Sequence, residues 1–200
     1  MRTKLFVTTV LAAGLMTAGL AQAQGLGGLY FGGQIGHDSY TTKVDTAEVN
    51  GKLGGSGIEG GIFAGYNLMM DGLLVGAEAQ FGLSDASVNG SMPGFDYRTS
   101  ARESWGLSGR VGTMITNSTL IYAHTGWTKT RFKSEATFGD GIETVSDKYR
   151  LDGWRLGGGL EVMVTEQVSA RAEYSHIRYE REDGVRPVNN SIQLGLAWHL

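Results

Sequence analysis

Apolar and polar residues alternate most strictly at the C-terminal end of the chain. There Ile192, Leu194, Leu196, Trp198 and Leu200 interleave with Ser191, Gln193, Gly195, Ala197 and His199. A period of two sends the first set to one face of a strand and the second to the other, which a helix cannot do. The same stamp recurs upstream and predicts strands at 29–38, 58–68, 73–82, 102–114, 119 to about 130, 153–164, 168 to about 178, and 190–200. Their apolar faces carry, in turn, Leu29, Phe31 and Ile35, then Ile58, Ile62 and Leu68, then Leu73, Val75 and Phe81. Trp105, Leu107 and Val111 follow, then Trp154, Leu156 and Leu160, then Val168, Ala172 and Tyr174.

The connections alternate as regularly as the strands. Asp71-Gly72 is a strong hairpin signal, and Asn117-Ser118 and Thr165-Glu166-Gln167 supply two more short turns. Between them lie four long polar, Gly-rich segments, at 39–57, 83–101, 132–152 and 179–189, expected to be loops. An even number of strands, each about the 9–11 residues that cross a bilayer at a tilt, joined by alternating short turns and long loops, is the pattern of a transmembrane barrel. The expected fold is therefore all-β: an eight-stranded antiparallel up-and-down transmembrane β-barrel with both ends on the short-turn side, the periplasm, and its long loops extracellular. The fifth strand is ambiguous, because Ile121, Ala123, Thr125 and Trp127 compete with Leu120, Tyr122, His124 and Gly126 for the outer face. The first set is assigned outward, since that keeps His124 out of lipid.

Composition agrees with sheet and turn: Gly is 32 of 200 residues and Pro only 2. Cysteine is absent, so no disulfide or thiolate–metal site contributes. Arg2 and Lys4, the apolar run 5–20 and Ala21-Gln22-Ala23 read as a secretory signal peptide over 1–23, leaving a barrel domain at 24–200. Its removal leaves 15 basic against 20 acidic residues, a mature charge of −5, and nothing that suggests nucleic acid. After cleavage no apolar run is long enough to span a membrane as a helix, so insertion must be as a barrel.

Chemistry follows from the faces. The inward set contains Glu59, Glu78, Glu161 and Glu173 with Arg110, Arg155 and Arg171. An eight-stranded barrel has room only for side chains, so these charges are expected to pair across the lumen as a plug, a continuous ion path being the alternative. Trp105, Trp127, Trp154, Tyr174 and Trp198 are expected interface aromatics. Above them, Lys129, Arg131, Lys133, Lys148, Arg150 and Arg178 continue the outward parity and would suit the phosphates of lipopolysaccharide. A solvated, mixed-charge loop base fits the same stretch, because Glu135, Asp147 and Asp152 lie among these residues.

The remaining motifs carry less. His37, His124, His176 and His199 lack ligand spacing and read as polar or interfacial strand residues, so no metal site and no cofactor is expected. Gly-Ser-Gly-Ile-Glu-Gly at 55–60 precedes a strand and opens no helix, unlike a dinucleotide fingerprint. Glu173, Ser175 and His176 supply the residue types of a hydrolase, but neighbouring strand residues face opposite ways, which separates nucleophile from base.

Gly-Gly-Ile-Phe-Ala-Gly-Tyr-Asn at 60–67, Val-Gly-Ala-Glu at 75–78, Gly-Arg-Val-Gly at 109–112, Gly-Gly-Gly-Leu-Glu at 157–161 and Arg-Ala-Glu-Tyr at 171–174 carry a further resemblance. In order and spacing they resemble the small eight-stranded outer-membrane barrels, above all the opacity-protein-like and major surface-barrel proteins of alphaproteobacteria, over nearly the whole mature chain. That family usually ends in Phe, whereas this chain ends in Leu200 with Trp198 before it. Leu194, Leu196, Trp198 and Leu200 would then form the C-terminal signal recognised by the barrel-assembly machinery. The resemblance implies the outer membrane of a Gram-negative bacterium, contact with its lipids and lipopolysaccharide, and a structural, non-enzymatic role. That role is envelope integrity together with loops presented as a surface antigen, for adhesion or contact with a host. A small porin-like channel is the alternative, and a lipid A-modifying enzyme a more distant one.

Overall fold

The computed structural model describes residues 25–46, 49–92, 95–138, 143–180 and 186–200. The proposed signal peptide, 1–23, lies outside the described residues. The strands are β1 (Gly28–Thr46), β2 (Val49–Met70), β3 (Leu73–Ser84), β4 (Ser87–Met92), β5 (Phe95–Met114), β6 (Thr119–Phe138), β7 (Glu143–Met163), β8 (Val168–Tyr179) and β9 (Arg186–His199). All pair antiparallel, and β1 bonds to both β2 and β9, which closes the sheet on itself.

β3 and β4 are successive parts of one stave, so the barrel has eight. The break falls at Asp85-Ala86, where Asp85 Oδ1 accepts the Ile58 N–H at 2.6 Å and Ser84 Oγ accepts that of Ala86 at 3.2 Å. Side-chain oxygens there replace ladder partners, as short polar side chains do wherever they compete with a sheet.

The register fixes the barrel's shape. Partners followed once round, from Tyr30 through Gly65, Glu78, Ser108, Gly126, Arg155, Ile177 and Asn189, return to β1 at Tyr40, ten residues further on. A stagger of ten over eight staves tilts the strands by about 40°, given roughly 3.3 Å per residue and 4.8 Å between strands. At one end lie the first and last described residues, Gly25 and Leu200, and the short turns. In the first of these turns Asp71 and Gly72 have φ of 48° and 83°, the left-handed pair that a two-residue hairpin needs.

At the other end β1, β2, β5, β6 and β7, of 19 to 22 residues each, run far beyond the expected 9–11 residues. The segments expected to be loops at 39–57, 83–101 and 132–152 are largely paired: β1 and β2 stay in register to Thr46↔Val49, and β6 and β7 to Phe138↔Glu143. The reason is physical. Alternating hydrophobicity marks a strand only where one face meets lipid or a dry core, while backbone pairing needs neither.

Facing follows the sequence pattern on every stave, including β6, where Ile121 points out and Leu120, Tyr122 and His124 point in. Large apolar side chains such as Ile62, Leu107, Leu156 and Leu194 stand 57–64% exposed on the outer wall. An apolar belt of this kind running round a whole molecule marks a surface that is covered by something other than water.

Candidate functional site

The lumen is filled in layers, beginning at the turn end. Leu26, Leu74, Leu120 and Tyr122 form an apolar cluster with Met69, Met114 and Met163 against it. The segment before β1 is drawn into this end by Asn67, whose Nδ2 donates to the Leu26 carbonyl at 2.9 Å.

The charged layer comes next. Arg110 donates through Nη2 to Glu161 at 2.5 Å and through Nη1 to the Tyr30 hydroxyl at 3.2 Å, with Glu78 at 3.6 Å. Its guanidinium lies 4.1 Å from the Tyr122 ring centroid. Arg171 donates to Glu78 and to Gln34, each at 2.6 Å, and sits 3.4 Å over the Phe63 ring. Tyr30 and Tyr122 hydroxyls donate to Glu78 and Glu173, both at 2.9 Å. Each of these carboxylates thus trades water for several charge-assisted partners, the condition under which a buried ion pair is tolerated.

Nearer the hairpin end, Glu59 accepts from Ser104 at 3.2 Å and Gln193 at 2.9 Å, and Asp38 accepts from Asn189 and Ser84, each at 3.1 Å. Arg155 departs from the expected pairing: among the described residues it has no ion-pair partner within 4 Å, and its Nε is without a hydrogen bond. It lines, with Glu59 and Ser104, a cavity of about 10 Å³, room for one water at most.

A second apolar cluster caps the lumen: Tyr40, Ala86, Ala101, Phe132, Leu151, Ile177 and Tyr179. Tyr40 meets Phe132 edge-on at 6.0 Å, and Phe132 meets Tyr179 edge-on at 5.5 Å. Leu74, Leu120 and Tyr122 of the first cluster keep the inward facing expected of them, whereas the cap was not foreseen, because Tyr40, Phe132 and Tyr179 fall in segments expected to be loops. The signal was available: each continues the inward parity of its stave.

The histidines divide. His124 and His199 are buried members of the lumen network, not merely polar strand residues. His124 Nε2 lies 3.4 Å from both Ser175 Oγ and Glu173, and His199 Nε2 lies 2.9 Å from Ser169 and 3.4 Å from Glu161. Serine and carboxylate crowd the same ring nitrogen in both clusters. A nucleophile relay needs them on opposite nitrogens, so neither cluster is one. Ser175 faces the lumen while His176 faces outward, as neighbouring strand positions require.

On the outer wall, Trp105 and Trp127 pack edge-on at 4.8 Å, and Trp127, Trp154 and Arg178 occupy one cross-strand row. Trp198 lies in register with Phe31 near the turn end. β9 presents Leu194, Leu196, Trp198 and Leu200 on this wall as well. Towards the hairpin end the next rungs are Lys129↔Asp152, Arg131↔Arg150 and Lys133↔Lys148, two like-charge pairs in succession. On β6 each cation has an acid: Lys129 meets Asp152 at 3.3 Å, Arg131 pairs with Glu103, and Lys133 donates to Glu135 at 2.6 Å. That last bond, with the ammonium charge beside it, holds the Glu135 carboxyl below the usual range. Glu103 was not foreseen. It reaches Arg131 because residues 102 and 103 bulge between the Ala101↔Phe132 and Ser104↔Thr130 pairs.

Comparison with known proteins places these features in a family. Residues 8–199 match the family described as an outer membrane protein beta-barrel domain. The 31 kDa outer-membrane immunogenic protein of Brucella melitensis is 29% identical over 188 residues, covering 88% of this chain and 77% of its own. The 25 kDa outer-membrane immunogenic protein of Brucella ovis is 29% identical over 171 residues, covering 86% of this chain and 76% of its own. Among solved structures, the attachment invasion locus protein Ail of Yersinia pestis superposes with a TM-score of 0.46 at 14% identity, covering 86% of this chain and 99% of that one.

Proposed function

The chain belongs to the family of outer-membrane β-barrel domains, a protein of the Gram-negative outer membrane, and we propose that its role there is structural. It supports the envelope as a filled stave cylinder and presents its long hairpins outside the cell for contact or adhesion. The observation that carries this reading is the stack of the lumen: an ion-paired network of Arg110, Arg171, Glu78 and Glu161 held between two apolar clusters, with a water-sized cavity beside Arg155. Ions cross a barrel only through continuous polar space, and an apolar layer at each end of the lumen opposes it.

The partners that suit this role are the lipids of the membrane, with lipopolysaccharide against the outer wall at the hairpin end. During biogenesis the barrel-assembly machinery would read the outward face of Leu194, Leu196 and Trp198 on β9 together with Leu200 just after it. That β9 closes the barrel against β1 supports giving it this part. The relatives are named as immunogenic, which suits hairpins exposed at the cell surface.

The test is a strain lacking the protein. It is expected to leak periplasmic enzymes and to lose resistance to detergent, with both restored by the wild-type gene. An envelope unchanged by the deletion would contradict the structural role.

A further inference from the structure

The outer wall of β7 to β9 holds a chain of polar contacts where lipid would be expected. Tyr174 donates its hydroxyl to Asn190 Oδ1 at 2.8 Å, and His176 Nδ1 lies 2.8 Å from the same oxygen. An amide oxygen only accepts, so Nδ1 carries the proton and Nε2 is left with its lone pair. Arg178 Nε donates to that lone pair at 3.2 Å. The chain therefore ends in a guanidinium fixed through Nε, with its two terminal nitrogens turned away from the chain as an unused fork. That fork matches a phosphate or carboxylate edge.

Arg178 stands in register with Trp154, and Arg150 lies four residues beyond Trp154 on β7, about 13 Å along the strand. Lys148 follows on the same face. Among the described residues, Arg178, Arg150 and Lys148 have no acidic partner, whereas the three cations of β6 each have one. Like charges placed opposite one another, Arg131 against Arg150 and Lys133 against Lys148, are destabilising unless an anion joins them. A neutralised half and an open half thus divide the basic face between β6 and β7.

We propose that the open half is a binding site for an acylated glycolipid carrying two phosphates. One phosphate seats in the Arg178 fork and the other between Arg150 and Lys148, while the acyl chains lie along Trp154, Leu156 and Tyr174 below. Polar residues that interrupt a lipid-facing wall are expensive there and tend to mark function. This deepens the reading of lipopolysaccharide as a partner and rests on it. Asn190, His176 and Tyr174 are positioning residues, acting on the ligand through Arg178.

The barrel purified in detergent, its fold checked by a heat-modifiable gel shift, is titrated with lipopolysaccharide and tryptophan fluorescence is followed. Saturable binding is expected, weakened at least about tenfold when the lipid's phosphates are removed enzymatically. Neither phosphatidylglycerol vesicles nor inorganic phosphate should reproduce it, and equal competition by inorganic phosphate would make this a free-phosphate site and overturn the lipid.

Arg178→Gln and Asn190→Ala are each expected to weaken binding about tenfold, the loss of one charge-assisted contact, or about 1.4 kcal/mol. Arg178→Lys should not restore it, because an ammonium has no fork to be held. Wild-type affinity in Asn190→Ala would overturn the positioning role, and wild-type affinity in Arg150→Gln/Lys148→Gln would overturn the second phosphate. All these side chains are on the outer wall, away from the packed lumen. A barrel that binds the lipid while its deletion leaves the envelope intact would sink the structural role alone.

Discussion

Arg110→Met is expected to destabilise the folded barrel by about 3–5 kcal/mol, the cost of removing one partner from a buried ion pair. Arg110 is 3% exposed and Glu161 0%, so no water can take over. Of the two guanidiniums in the charged layer, only Arg110 reaches Glu161; Arg171 is committed to Glu78 and Gln34. Methionine fills part of the space but leaves Glu161 with only the Ser169 hydroxyl and the His199 ring. Glu161→Gln added to Arg110→Met should recover part of the loss, because the uncompensated charge goes with it. Urea unfolding in lipid vesicles, followed by tryptophan fluorescence and the gel shift, reads both. Equal midpoints for wild type and Arg110→Met would mean that the lumen network contributes nothing to the fold.

The second large effect is at the seam. A Cβ on Gly32 would lie 2.1 Å from the Leu196 carbonyl oxygen and 2.3 Å from Phe63 Cζ. Neither neighbour can give way: the carbonyl belongs to the β1–β9 ladder that closes the barrel, and the Phe63 ring lies beneath the Arg171 guanidinium. Gly32→Val is therefore expected to cost about 3 kcal/mol, the upper end of overpacking, and to reduce the fraction that closes. Gly60 is the control. It faces outward with nothing within 4 Å of a Cβ, so Gly60→Ala should be neutral or stabilise by about 0.4–1 kcal/mol through the unfolded chain. A gel-shift assay of refolding yield separates the two, and equal yields would show that the seam tolerates a side chain.

What could be read from the sequence depended on what each face touches. Between Leu29 and Ile35, or Ile192 and Leu200, one face meets lipid and the other a polar lumen, so alternation is clean and the facing of Glu78, Arg110 and Arg171 follows from it. Beyond Asp38 and Phe132 neither outer face is apolar, and the pattern fades although the ladder continues to Thr46 and Phe138. The extensions were therefore taken for loops, and with them the cap built on Tyr40, Phe132 and Tyr179. The charge set was legible by parity, but its wiring was not. That Arg155 has no carboxylate within 4 Å among the described residues, while Arg110 serves two, depends on the ten-residue stagger, which appears only when all eight staves are registered. On the outer wall, the cations were visible as a stripe, and their division into neutralised and open halves required Glu103, brought to Arg131 by a bulge, and Asn190, brought to His176 from the last strand.

The measurement closest to the central claim is single-channel conductance of the refolded barrel in a planar bilayer, with the heat-modifiable gel shift as proof of folding. A lumen closed by apolar clusters at both ends and filled between them by the Arg110 and Arg171 network should give no steady conductance. Reproducible discrete steps, altered by replacing Arg110 or Glu78, would contradict it and make the lumen a pore.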